Sequence, residues 1–248
     1  MAEEIVLPAW DSTEFADFLI RTPQKYARTL LHQMLDDRGL ANERLNQLVA
    51  ALPMGAYVSG GFMNAVLKGA SDEASDLDIF FSSSEAFLKT YDLLTKPKTD
   101  KDAEEPQSVS FLKGYVTEIK RETLFTDKTL RFVKFTNPDK PKWPPIQLVK
   151  LVWYDNAEHL IDSFDLTVVQ FATDGNELVY NPLGIMDLVR KRIVLHRMQF
   201  PASTLRRLVK YASKGFYACP GSLARIANEI TLSINKDPRE LEKYVYID

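Results

Sequence analysis

Apolar residues in this chain recur first at helical spacing and then in alternation, and the change falls near Pro53. Between residues 12 and 52, Tyr26, Leu30, Leu31, Met34 and Leu35 lie at helical spacing, Ser12 or Thr13 can cap, Pro23 suits a first helical turn and Gly39 a terminus. A further short helix is expected over 42–52, so this region reads as a helical cap. Residues 56–59 and 77–81 then predict two short buried strands, with a helix over 62–67 opened by Gly60 and Gly61. The two strands should pair as a hairpin-like unit around that helix. Residues 96–107 carry Lys, Asp, Glu, Thr and Pro without apolar spacing, which predicts a surface loop. Further strands are expected at 114–119, 130–135 and 146–152, the last starting only after Pro144 and Pro145 because proline cannot donate in a central strand. A longer strand is predicted over 163–172, followed by a turn at Asp174-Gly175-Asn176. The remainder is mainly helical, with one helix closing at Gly215 and another over 222–234.

These elements predict an α+β fold with a small mixed twisted sheet and flanking helices. The expected division is an N-terminal helical extension over 1–54 packed on the core, a sheet-bearing core over 55–180 and a C-terminal helical region over 181–248. A chain of 248 residues, 45% apolar and 26% charged, is ordinary for a globular protein and excludes disorder as the default. The net charge of -3 gives no whole-molecule attraction to nucleic acid or anionic membrane. Its distribution is uneven: no acidic residue occurs between Asp187 and Glu229, while nine Lys and Arg residues do, from Arg190 to Arg225. A local site for a polyanion is therefore open. The single Cys219 cannot form an internal disulfide, and with three histidines it offers no zinc cluster of usual spacing. The acidic start and the lack of any long apolar run support neither a secretory signal nor a membrane span. A cytoplasmic protein with no membrane partner is expected.

The chemistry concentrates in Tyr57-Val58-Ser59-Gly60-Gly61-Phe62 and Ser75-Asp76-Leu77-Asp78-Ile79-Phe80-Phe81. Side chains at i and i+2 on a strand share a face, so Asp76 and Asp78 point together. Two such carboxylates repel unless a cation or hydrogen bonds compensate them, and magnesium, with manganese as an alternative, matches hard oxygen donors. Glycines permit close approach and unusual dihedrals, and the first free amides of the following helix can donate to phosphate oxygens, with the Ser59 hydroxyl as a further donor. An Asp-x-Asp pair alone is a weak signal, because exposed turns often carry two acids; the apolar flanks and the Gly-Gly element raise it.

The run from Ser203 to Gly215 is a basic amphipathic helix. Arg206, Arg207, Lys210 and Lys214 share a sector about 100° wide, opposite Leu205, Leu208, Val209 and Ala212. Lys210 and Lys214, one turn apart, can hold the β and γ phosphates of a nucleotide, with Arg207 nearby and Tyr211 at the edge to stack on a base. A solvated helix face is the plain alternative.

The order Gly-Gly, short helix, Ser-Asp-Leu-Asp-Ile-Phe resembles the signature of the DNA polymerase beta type nucleotidyltransferase superfamily. The close part of this resemblance covers Val58 to Phe81, with a looser likeness over 146–172 and a possible nucleotide-side helix near 205–215. Gly61 stands where a serine is often found, and the interval before Asp76 is somewhat long. The resemblance implies a magnesium-dependent, nucleotide-binding (including ATP-binding) transferase that moves a nucleoside monophosphate from a triphosphate to an acceptor, with release of pyrophosphate. It further implies a third metal-binding and catalytic carboxylate beside Asp76 and Asp78. Asp165 is its best match and Asp162 its rival; the plain alternative for Asp165 is a salt bridge at a strand end. The third carboxylate would serve a second metal and activate the acceptor hydroxyl. The acceptor stays open between a small molecule, a protein and a nucleic-acid terminus. The competing functions are a catalytically inactive module binding a nucleotide or an RNA end, and a purely structural interaction protein.

Overall fold

The change in spacing near Pro53 coincides with the first strand of a central sheet. The computed structural model describes residues 8–9, 12–21, 51–68, 76–95, 116–117, 132–136, 138 and 144–236. The helices expected within 22–50 and the loop at 96–107 lie outside the described residues.

Helix α1 (Thr13–Arg21) starts where the Ser12 hydroxyl oxygen accepts the Phe15 N–H, and it turns Phe15 and Ala16 into the core. Strands β1 (Ala56–Ser59) and β2 (Leu77–Phe81) pair antiparallel with α2 (Gly61–Lys68) between them in sequence, the hairpin-like unit expected from the alternation. Next come α3 (Ser84–Thr95), β3 (Val116–Thr117), β4 (Phe132–Thr136) and β5 (Ile146–Trp153). Helix α4 (Ala157–Asp162), a 3-10 turn (Thr167–Val169) and β6 (Phe171–Thr173) follow. The chain continues through β7 (Leu178–Tyr180), α5 (Pro182–Val189), β8 (Arg192–Ile193), α6 (Pro201–Ser213), β9 (Tyr217–Ala218) and α7 (Pro220–Lys236). Among these, no helix is long and apolar enough to cross a membrane.

Among the described residues the main sheet has seven strands, in the order β3-β4-β5-β2-β1-β6-β7. Among these strands β2 and β5 run parallel and the other described pairings are antiparallel, which makes the sheet mixed as expected. The expected turn at Asp174-Gly175-Asn176 joins β6 to β7, with Asp174 Oδ1 accepting the N–H groups of Asn176 and Glu177 and Gly175 at φ 91°.

Alternation divides the sheet into two faces. One row across it, Val58, Ile79, Leu148 and Val133, is wholly buried. Phe81, Phe87, Tyr91 and Phe135 extend this apolar layer with α3 through edge-on and stacked ring contacts. The adjacent row reads Ser59, Asp78, Gln147 and Lys134, so polar side chains share the other face. There α4 covers Tyr57, Phe80 and Ala172 with Leu160 and Ile161, leaving the polar row beside it.

One expectation is corrected. The strand predicted over 163–172 is instead a loop, a 3-10 turn and the first two residues of β6. Its apolar residues Leu166, Val168, Val169 and Phe171 join the main core, and the segment is held by hydrogen bonds outside a strand ladder: Val168 O accepts Asn64 Nδ2 at 2.9 Å, and Gln170 Nε2 donates to Ile161 O at 2.8 Å. The C-terminal part is mainly helical as expected, and it also carries β8 and β9, a separate parallel pair in which Tyr217 N donates to Lys191 O.

Candidate active site

Asp76 and Asp78 stand at the start of β2, on the polar face. Ser59 is the register partner of Asp78 on β1, and the chain then turns sharply into α2. That turn needs glycine at position 60: Gly60 has φ 80°, and a Cβ there would lie 3.3 Å from Asp78 Oδ2. Gly61 opens α2, and a Cβ there would meet the Tyr211 hydroxyl at 3.4 Å. The structure therefore brings Gly60 to Asp78, its near neighbour in sequence, and Gly61 to Tyr211 across more than a hundred residues.

The Ser59 hydroxyl points elsewhere. It is fully buried and donates to Phe171 O at 2.6 Å, so its proton ties β1 to β6, which corrects its expected use as a phosphate donor. Tyr211 is also corrected as a base-stacking residue. Its ring is buried in the core and packs edge-on against Phe216, with Lys214 Nζ 5.9 Å from its centre. Burial first, then the Asp165 and Asp78 charges, hold the Tyr211 phenol above its ordinary value, so its hydroxyl stays protonated beside the glycine turn.

Asp165 lies in the loop before the 3-10 turn, where His196 N donates to its carbonyl. Its carboxylate Oδ2 accepts Thr204 Oγ1 at 2.8 Å and Arg207 Nη1 at 2.6 Å, both from α6. Asp76, Asp78 and Asp165 do not gather into one cation-holding cluster, and among the described residues no group of three such side chains forms. Asp165 is ion-paired to Arg207, so the salt bridge that the sequence offered as its plain alternative is present. Its rival Asp162 is bound to His196 Nε2 at 2.8 Å and to Arg197.

These contacts also set the roll of α6. Thr204, Leu208 and Tyr211 are buried, whereas Leu205 and Val209 are 38% and 60% exposed. The helix is thus rolled toward its basic edge relative to the sequence expectation, because Asp165 draws Thr204 and Arg207 inward. Arg207 is half-buried and Lys210 exposed, and both charges act on Asp78. Replacement of Asp165 by Asn should lower stability by about 1–3 kcal/mol, since it leaves a partly buried arginine without its carboxylate. Thermal denaturation checks this, and an unchanged melting temperature would contradict it.

Asp78 carries the clearest electrostatic signature. Burial, reinforced by the neighbouring Asp76 charge, pushes its carboxyl from 3.8 up to about 7, against the opposing pull of Lys210 and Arg207. The unfolded chain releases that proton near the ordinary value. Through the window from about 4 to 7 the folded protein binds more protons, so cation-free stability falls as pH rises and levels off above about 7. Asp78→Asn should accordingly melt several degrees above the unsubstituted protein at pH 8 in chelator, with the gap closing toward pH 4. A gap of equal size at both pH values would contradict this.

Gln147 was not singled out in the sequence. It is the register partner of Asp78 on parallel β5, and its Nε2 donates to Asp76 Oδ2 at 3.0 Å. The two acids and this amide form the floor of the site, with the glycine turn and α6 beside them.

Compared with solved structures, the chain is similar to a CCA-adding enzyme in apo form I, with TM-score 0.53 and 16% identity over 81% of this chain and 45% of that one. It is also similar to a CCA-adding enzyme in complex with ATP, with TM-score 0.53 and 15% identity over 86% of this chain and 49% of that one. The complex with CTP gives TM-score 0.52 and 15% identity over 85% and 47%. The likeness is one of fold, of nucleotidyltransferase type, and the chain spans about half the length of those structures. No curated protein matches the chain in sequence. Residues 23–191 match a family model described as Gabija anti-defense 2 family protein.

Proposed function

The chain belongs to the Gabija anti-defense 2 family, and from its site we propose that it is a divalent-cation-dependent nucleotidyltransferase, moving a nucleoside monophosphate from a triphosphate to a hydroxyl acceptor with release of pyrophosphate. The observation that carries this is the shared face of Asp76 and Asp78 beside the Gly60 turn, with the Lys210 and Arg207 charges acting on the same point.

The donor set fits a hard divalent cation: burial, with the neighbouring Asp76 charge second, raises the proton affinity of Asp78, a cost that a bound cation would relieve, and both residues offer carboxylate oxygen. Asp76 and Asp78 would hold magnesium, or manganese, which when bound supplies positive charge at the triphosphate. The chain's own groups do the rest. The first N–H groups of α2 (Gly61–Lys68) would donate to a phosphate oxygen at its N-terminus. Lys210 and Arg207, with Lys214 a turn further on, would stabilise charge developing on the departing pyrophosphate. Asp165 acts as a positioning residue that fixes the Arg207 guanidinium and the roll of α6. The Tyr211 hydroxyl, held protonated, would steady the turn at Gly61.

The family description makes a Gabija component the first acceptor to test, which fits a protein or small-molecule hydroxyl better than a nucleic-acid terminus for a chain of net charge -3. The test is incubation with α-labelled ATP, CTP, GTP or UTP, magnesium and either purified Gabija proteins or fractionated extract. Label on a protein or small molecule is expected, and its position identifies the acceptor. One observation favours a second reading, an inert nucleotide-binding module: no third acid joins the pair among the described residues. Tight triphosphate binding with no labelled product in any fraction would favour that module.

A further inference from the structure

We infer that Gln147 is a positioning residue for the cation site: its side-chain amide sets the direction of the Asp76 carboxylate, and with it how tightly a divalent cation is held. This rests on the nucleotidyl-transfer reading of the Asp76–Asp78 pair. The two acids are anchored differently. Asp78 belongs to β2 and has a register partner on each side, Ser59 on β1 and Gln147 on β5. Asp76 stands one residue before β2, whose pairing with β5 begins at Leu77. The torsion of a carboxylate about its Cβ–Cγ bond is broad, and the backbone alone does not set it. A cation shared by two carboxylates needs both turned toward one point. Gln147 supplies that orientation at Asp76: reaching diagonally past its own register partner, its Nε2 donates to Asp76 Oδ2 at 3.0 Å. An amide N–H on a carboxylate oxygen is charge-assisted and directional.

The strand behind the amide is itself well held. Gln147 lies inside the sheet, paired with Asp78 on β2 and with Lys134 on β4, and its chain neighbours Ile146 and Leu148 are buried in the core. Just before β5, Pro145 O accepts Leu77 N at 2.8 Å, which ties the entry of that strand to the residue that follows Asp76. The tether therefore runs from a fixed strand to an acid just outside one. A hydrogen-bonded partner behind a metal ligand changes metal affinity by about 10- to 100-fold without touching the ion.

The test measures Mn2+ affinity by electron paramagnetic resonance, with the full chain saturated by a triphosphate whose α–β bridge is a methylene group. Gln147→Met keeps the length of the side chain and removes the donor; it should weaken Mn2+ by about 10- to 100-fold. Gln147→Asn, a methylene too short to reach Asp76, should do the same, and both should melt in chelator like the unsubstituted protein. In turnover the magnesium concentration for half-maximal pyrophosphate release should rise by the same factor, with the triphosphate KM at saturating magnesium unchanged. A double-mutant cycle separates positioning from direct ligation: with Asp76→Ala in place, adding Gln147→Met should cost no further Mn2+ affinity. A further loss of full size would overturn the positioning role, as would unchanged Mn2+ affinity in a folded glutamine variant; either result leaves nucleotidyl transfer standing. No bound Mn2+ in the unsubstituted protein carrying the triphosphate would overturn the transfer reading along with the inference.

Discussion

Replacing both Asp76 and Asp78 with alanine is expected to leave a folded protein that still binds triphosphate weakly and releases no pyrophosphate above background. Each single substitution should lower turnover by several orders of magnitude, because loss of one carboxylate removes both charge and geometry from a two-acid site. The fold should survive, since neither side chain belongs to the apolar row of Val58, Ile79, Leu148 and Val133 that holds the sheet. The double substitution relieves like-charge repulsion and should not destabilise the cation-free protein. Pyrophosphate release and a melting curve on the same preparations check both parts. Near-normal release by either single variant would exclude the pair from the chemistry.

The second large effect is expected at Gly60. With φ at 80° any side chain there meets backbone strain, of the order of 1–2 kcal/mol for a left-handed residue. The new Cβ would also lie 3.3 Å from Asp78 Oδ2, a carboxylate oxygen the proposed cation needs. Gly60→Ala should therefore lower the melting temperature by a few degrees and kcat/KM by roughly 100-fold, a loss larger than strain alone explains, because displacement of a ligand by even part of an ångström is costly to a positioned reaction. Gly61→Ala, with ordinary backbone and only the Tyr211 hydroxyl at 3.4 Å, should cost much less. Equal losses at the two positions would show that the turn acts through general destabilisation.

What could be read from the sequence was what depends on neighbours along the chain. The β1–α2–β2 unit follows from alternation around a Gly-Gly turn, and the Asp-Gly-Asn turn and the end of α6 at Gly215, with φ 83°, follow from residues suited to positive φ. The segment 163–172 reads as a strand because a short apolar run looks the same in one dimension whether it forms a strand or a 3-10 turn buried in the core. Helix α4 escaped notice, although Asn156 caps it by accepting the His159 N–H. The two-residue strands β8 and β9 are too short to carry any period.

The site divides along the same line. Asp76, Asp78 and Gly60 were legible because two short segments carry them. The fate of Asp165 was not, because Thr204 and Arg207, which bind it, lie 39 and 42 residues away. Those same contacts decide which side of α6 is buried, a choice that a helical wheel with both a basic and an apolar sector leaves open. Gln147 becomes visible only through the parallel register of β5 on β2, which no periodicity of a single strand records.

The central claim is that the Asp76–Asp78 site cleaves a triphosphate between its α and β phosphates. It is tested most directly by a single-turnover reaction run twice, once with α-labelled and once with γ-labelled triphosphate, in magnesium and with the acceptor present. The expected result is α label on the acceptor and γ label in free pyrophosphate, in equal amounts and both absent from Asp78→Asn. Transfer of γ label to the acceptor, or retention of both labels in intact bound triphosphate, would contradict it.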